Sequence, residues 1–237
     1  MLGTDIVKLL GNAGNSARER KIAELLEAEA LPAFLDTLKP ITVTSGGHTL
    51  VYYVMPDYLC LGENSDFFHI PMTPPAAKRW MQKHNFSFPT KTMVDQIFKQ
   101  CEMKVRPYTF GSLSKEVQKL RMETTPVYVD QSKKIQAVIG TNIGKLIAGH
   151  KKDVVLSNGL LNYPQNVAIY GWFEGGKAIQ GLNFKSHVLG YVDYSHGLRM
   201  VSNVCYLDGV ETSLQKIWSD PTLCMLIHDE ILRVQSY

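Results

Sequence analysis

At 237 residues, with 45% hydrophobic, 20% charged and 10% aromatic residues, the chain is long enough to bury a large core without staples, which excludes a disordered chain and a disulfide-dependent miniprotein. Its 25 basic and 22 acidic residues give a net charge of +3 and are mixed along the chain. There is no continuous basic stripe for a phosphate backbone, so nucleic-acid binding is disfavoured.

The amino terminus, MLGTDIVKLLGNAGNSARERK, lacks the basic-then-apolar order of a secretion signal, and no apolar run approaches the roughly 18 residues of a membrane span. The expectation is cytoplasmic synthesis without Sec export, which a virion-associated or lysis-released protein would share. Cys60, Cys101, Cys205 and Cys224 are widely spaced and form no C-x-x-C, so they read as small buried apolar residues.

From Ser16 to about Leu38, Ile22, Leu25, Leu26, Phe34 and Leu35 recur at helical spacing, and Ser16 with Glu19 makes a capping-box pattern. Residues 41–62 are β-branched and aromatic and are broken by Ser45-Gly46-Gly47, which predicts a hairpin. Thr73-Pro74-Pro75 predicts a helix start, with the helix running to about His84, and a second helix starts near Thr90 or Thr92. A third, charged helix is expected over 112–124, ended by Pro126, with a weaker one over 130–139.

Beyond residue 145 the texture changes to short β-rich runs separated by Gly, Asn and Pro, and 211–233 turns helical again with a break near Pro221. The expectation is one α+β domain over 1–237: helix-rich 1–145, strand-rich 146–210 and a helical segment 211–237. An antiparallel sheet or half-barrel, mostly from the C-terminal half, packs against helices mostly from the N-terminal half.

The stretch HVLGYVDYSHG, residues 187–197, concentrates two histidines, an aspartate, a serine and two tyrosines. Read as an extended strand it places His187 and Asp193 on one face but about 20 Å apart, at roughly 3.3 Å per residue. Asp193 could orient His196 as a general base, with Ser195 a candidate nucleophile if the chain turns there. The alternative is a turn in which Asp193 and Ser195 bond the backbone and His196 packs on Tyr194.

Upstream, GHKKDVV offers Lys151 and Lys152 as anion donors and Asp153 as acid, base or ligand, with Arg199 a further binder of an anionic group. Such a charged run is more often a solvated loop. Tyr170 and Trp172 share a strand face by period two, suggesting a stacking surface for sugar or peptide, or plain hairpin packing. A zinc site would draw on His150, His187, His196 and Asp153 or Asp193. The acidic run Asp57, Glu63, Asp66 and His69 lacks the spacing of a calcium loop and reads as structural. No G-x-S-x-G, P-loop or H-E-x-x-H pattern is present.

The segment SHVLGYVD is similar to the S-x-H-x-x-G-x-A-x-D motif of zinc D-Ala-D-Ala peptidases, but serine adjoins the histidine, aspartate comes one residue early, and no E-x-x-H follows. Taken in order, PDYLCLG, DFFHIPMTPPAA, FPTKTMVDQI, KKDVV, IYGW, AIQGL and HVLGYVDYSHGLRMV resemble a family of uncharacterised bacterial and phage proteins over residues 56–201. The resemblance implies a shared fold and draws attention to Lys151, Lys152, Asp153, His187, Asp193, Ser195, His196 and Arg199, but implies no reaction. A histidine commonly follows IYGW in that family, where this chain has Phe173, which puts activity of this member in question.

The leading expectation is a hydrolase acting on cell-wall peptide or glycan. His196 or His187 serves as base, Asp193 orients it, and Lys152 and Arg199 bind an anionic group, with Lys151, Tyr170, Trp172 and Tyr194 lining the site. The rival is a non-enzymatic binding or structural protein such as a virion component. Substrate identity, oligomeric state and metal dependence are open at this point.

Overall fold

The computed structural model describes residues 1–11, 15–234 and 236–237. In chain order the first half holds helices α1 (Gly3–Leu10) and α2 (Asn15–Glu27), strands β1 (Lys39–Ser45), β2 (His48–Val54), β3 (Cys60–Glu63) and β4 (Asp66–His69), helix α3 (Pro74–Lys83), strand β5 (Phe86–Ser87), helix α4 (Lys91–Gln100) and strand β6 (Met103–Lys104). The second half follows with helix α5 (Thr125–Ile139), strands β7 (Ile147–Ala148), β8 (Lys152–Val154), β9 (Ile169–Glu174), β10 (Lys177–Asn183), β11 (His196–Gly197), β12 (Val201–Leu207) and β13 (Val210–Ser213), and helix α6 (Leu214–Ser219). This is an α+β fold with antiparallel sheets, its helices mostly toward the N-terminus and its strands mostly toward the C-terminus. No described helix is long and apolar enough to cross a membrane.

One sheet runs β1-β2-β12-β13, with β5 also on β12, so a hairpin from the first half pairs with strands from the last third. The second runs β10-β9-β8-β11 and carries the site; all its pairings are antiparallel except β11 on β8. Helix α4 packs on β9 and β1, placing Met93, Val94, Ile97 and Phe98 at i, i+1, i+4 and i+5 on its buried face. Thr90 caps it, its hydroxyl accepting from the Met93 N–H at 3.2 Å.

Several sequence expectations are corrected. The helix from residue 16 stops at Glu27, and Ala33–Asp36 forms only a 3-10 turn. Ser16 lies inside α2 rather than at its cap; the Glu19 carboxylate accepts from the Thr73 N–H at 2.7 Å and ties the start of α3 to α2. The hairpin is β1–β2, which ends at Val54, while Cys60–Glu63 pairs onward with β4. No charged helix spans 112–124, where only 3-10 turns form at Phe110–Ser112 and Val117–Lys119. Pro126 begins α5 rather than ending a helix, because its missing N–H falls in the first turn, where a helix has no acceptor for it.

The β8–β11 junction needs a glycine. A Cβ on Gly197 would sit 2.5 Å from the Tyr58 ring and 2.8 Å from Lys151 Cβ. Both neighbours are fully buried and cannot yield into solvent. Gly197→Ala is therefore expected to cost about 1–3 kcal/mol of unfolding free energy, read as a lowered urea midpoint at unchanged slope; an unchanged midpoint would show that the junction can relax.

Candidate functional site

HVLGYVDYSHG is not an extended strand before His196. The Tyr191 N–H returns to Val188 O at 2.9 Å and the His196 N–H to Asp193 O at 3.2 Å, closing two successive turns. Asp193 fixes the second, its Oδ1 accepting from the Ser195 N–H at 2.8 Å and the Ser195 hydroxyl at 2.6 Å. The 20 Å separation expected for a strand therefore collapses. The His187 ring stacks on Tyr191 at 4.9 Å and meets the edge of His196 at 5.1 Å, and the Tyr191 hydroxyl donates to Asp193 Oδ2 at 3.2 Å.

The two candidate segments meet. Register pairs His196 with Lys152 and Gly197 with Asp153, and the Lys152 N–H donates to Ser195 O at 2.7 Å. Strand alternation then sorts the basic run into two layers. Lys152 is half-buried beside the histidines, its ammonium 4.7 Å from the centre of the Trp172 ring. Lys151 points inward, donating to Gln131 Oε1 at 2.5 Å and Tyr194 O at 2.6 Å.

The outer layer thus contains His187, Tyr191 and Lys152, all half-buried, over buried Asp193, Ser195 and His196. Burial pushes His196 down to about 4, against the pull of Asp193, and partial burial lowers His187 likewise. Burial acts to raise the Asp193 carboxyl, but His196, the Ser195 bonds and Lys152 outweigh it and hold it below its ordinary value. Among the described residues His196 Nε2 is buried with no hydrogen-bond partner.

His196 has a consequence for stability. In the unfolded chain it takes a proton near 6.5, in the folded protein only near 4, so between those values the unfolded state binds more protons and stability falls as pH falls. The unfolding free energy is expected to decline on acidification from pH 6.5 to 4, with His196 contributing a slope of at most about 1.4 kcal/mol per pH unit that His196→Gln lacks. Parallel urea titrations at several pH values would measure this, and identical slopes for the two proteins would refute it.

The inner layer is closed. Asp153 Oδ2 accepts from the Tyr58 hydroxyl at 2.7 Å, and its Oδ1 lies 3.9 Å from Arg199 Nε. Burial pushes the Asp153 carboxyl up to about 7, opposed by Arg199 and the Tyr58 bond, and burial pushes Lys151 down to about 7. Arg199 is fully buried, donating to Met55 O at 2.8 Å and Ile147 O at 2.5 Å. Lys151, Asp153 and Arg199 are thus framework rather than the substrate-facing groups expected from sequence. Ser195 is 1% exposed with its hydroxyl donated to Asp193, so it does not face solvent as a nucleophile would.

The aromatic surface is also corrected. Gly171 and Trp172 both take positive φ, 107° and 58°, so alternation breaks between Tyr170 and Trp172. Tyr170 turns to α4, donating to Asp95 Oδ1 at 2.7 Å, while the Trp172 indole donates to His150 O at 3.1 Å and meets Tyr194 at 6.3 Å. Both rings are buried, as is Tyr194, whose hydroxyl accepts from the Phe110 N–H at 2.8 Å. Phe173 stacks on Phe98 with ring centres 3.9 Å apart and belongs to the core.

The expected zinc set of His150 with His187, His196 and Asp153 or Asp193 does not assemble. His150 instead meets Asp57 and His69, the one group of three metal-capable side chains among the described residues. The sequence places Asp57 and His69 in one acidic turn with Glu63 and Asp66, but Glu63 pairs the N-terminal amine at 2.8 Å and Asp66 accepts from the Thr4 hydroxyl at 2.7 Å. Tyr58 and Gln131 escape the sequence reading and Tyr191 is given no role in it; none carries a pattern that separates it from an ordinary core or turn residue. No protein-family model, curated protein or solved structure matches the chain.

Proposed function

We propose that the protein is a hydrolase whose acid–base group is His187 at the β8–β11 junction. The observation that carries this reading is the assembly of half-buried His187 and Lys152 beside His196 and Asp193, with His187 the member of the histidine pair that solvent reaches. In a hydrolytic step His187 takes the proton from an attacking water. The anionic Asp193 favours the imidazolium that results, and the Lys152 cation favours the negative charge developing on the substrate oxygen. Buried His196 stays neutral and holds the His187 ring by its edge contact. Lys152 also suits a carboxylate-bearing substrate, and with the SHVLGYVD likeness this makes cell-wall peptide or glycan the first class to test.

The test is incubation of purified protein with isolated peptidoglycan, following soluble fragments and assaying new amino groups and new reducing ends separately. Release by the parent and its loss in His187→Ala is the expected result. Absence of both products would remove the cell-wall reading, and equal release by the variant would remove His187 from the chemistry. The rival reading, a non-enzymatic binding or structural protein, is favoured by one observation: Ser195, Lys151 and Arg199 spend their donors on internal acceptors.

A further inference from the structure

We infer that Asp57, His69 and His150 form a buried binding site for one divalent ion of the zinc class, serving the fold rather than the reaction. The three ligand atoms lie within 4.8 Å of one another, and the side chains come from three separate parts of the chain: the loop after β2, the end of β4 and the loop between β7 and β8. Two imidazoles and a carboxylate are a borderline nitrogen and oxygen set that suits zinc. An ion there would cross-link those segments directly beneath the β8–β11 junction.

His150 is the informative residue. It is fully buried, and neither ring nitrogen has a hydrogen-bond partner. A buried imidazole with no well-formed hydrogen bond is costly and calls for an explanation. Its Nε2 nevertheless lies 3.2 Å from Asp57 Oδ1, close in distance but outside hydrogen-bond geometry, while His69 Nε2 lies 2.9 Å from Asp57 Oδ2. Ligand atoms at about 2.0–2.1 Å from a tetrahedral ion stand about 3.3 Å apart. The two short separations run to different oxygens of Asp57, and the ligand atoms of the three side chains lie within 4.8 Å of one another, so the side chains would have to close in on one ion.

The surroundings fit as well. Ser132 Oγ of α5 lies 3.3 Å from His69 Nδ1 and fixes the ring from behind, in the place where a metal-bound histidine needs a partner. Tyr58 packs edge-on against His150 at 4.9 Å, His69 against His150 at 5.3 Å, and Phe67 against His69 at 5.8 Å, a shell that keeps bulk water out. Exposures of 2%, 1% and 0% for Asp57, His69 and His150 leave no path for a substrate, which makes the role structural. The inference stands apart from the hydrolase reading, since His187 and Lys152 take no part in it.

The whole chain is unfolded in guanidinium with EDTA, freed of chelator, and refolded with or without zinc chloride; metal content and thermal midpoint are then measured. Expected are about one zinc per chain and, at zinc roughly a hundredfold above Kd, a midpoint about 5–10 °C higher than in the zinc-free protein. His150→Phe, which keeps a ring against Tyr58, is expected to take up no zinc and to show no zinc-dependent shift. Equal midpoints with negligible metal in the parent overturn the inference, and so does His150→Phe protein that binds as much zinc as the parent. If that variant fails to fold, the two parent measurements decide alone.

Discussion

Arg199→Met is expected to lower the unfolding free energy by about 3–5 kcal/mol, the scale for removing one partner of a buried ion pair. The guanidinium is 0% exposed and performs three tasks: it donates to the carbonyls of Met55 and Ile147, lies 4.3 Å from the centre of the Tyr58 ring, and faces Asp153 at 3.9 Å. Methionine fills much of the volume but leaves two carbonyls without a donor and Asp153 without a cation. The carboxyl of the variant then resists ionisation further, so the folded state keeps a proton that the unfolded state gives up above its ordinary value of 3.8. The loss should therefore stay level below about pH 7 and grow as pH rises past it, where the parent's Asp153 ionises and the variant's does not, and adding Asp153→Asn should restore part of it. Urea unfolding of the two single variants and the double variant measures all of this. A loss under about 1 kcal/mol, or one that shrinks with rising pH, would mean that Arg199 is not the staple its contacts suggest.

His187→Ala is expected to lower kcat/KM for a hydrolysed substrate by about 100- to 10,000-fold, the usual contribution of a positioned acid–base group, while changing stability by no more than about 0.5 kcal/mol. The small stability effect follows from its position: the ring is half-buried, and its packing consists of the stack on Tyr191 and the edge of His196. Ser195→Ala should behave in the opposite way. Its hydroxyl bonds Asp193 in a buried turn, so the variant is expected to lose about 1–2 kcal/mol of stability and keep most of its activity. If Ser195→Ala abolished turnover in a folded protein while His187→Ala left it intact, the roles assigned here would be reversed. Measuring kcat/KM and urea midpoints on the same preparations separates the two outcomes.

The features legible in the order of residues were local. Pro74-Pro75 after Thr73 and the Thr90 cap start α3 and α4 where they were expected, because capping and first-turn chemistry depend on residues within one turn. The α+β class and the helix-to-strand drift along the chain were legible for the same reason, since periodicity and turn residues act at short range. The density of candidate groups in 187–199 was legible too, and so was the question whether that stretch touches Lys151 to Asp153.

The remainder came from how distant segments pack. Period two failed twice at the site: once where the Asp193 side chain closes a local turn with Ser195, and once where Gly171 and Trp172 take positive φ and the Trp172 and Phe173 N–H groups bond Lys151 and Gly149 of another segment. Burial was equally hidden. Lys151, Lys152 and Arg199 are alike as letters, yet one points to Gln131, one stands beside Trp172 at the edge of the core, and one is sealed against Tyr58. Asp57, His69 and His150 lie 12 and 81 positions apart along the chain. Nothing in their spacing announces a site, because their meeting depends on two loops and a strand end brought together by the fold rather than on any property of the residues themselves.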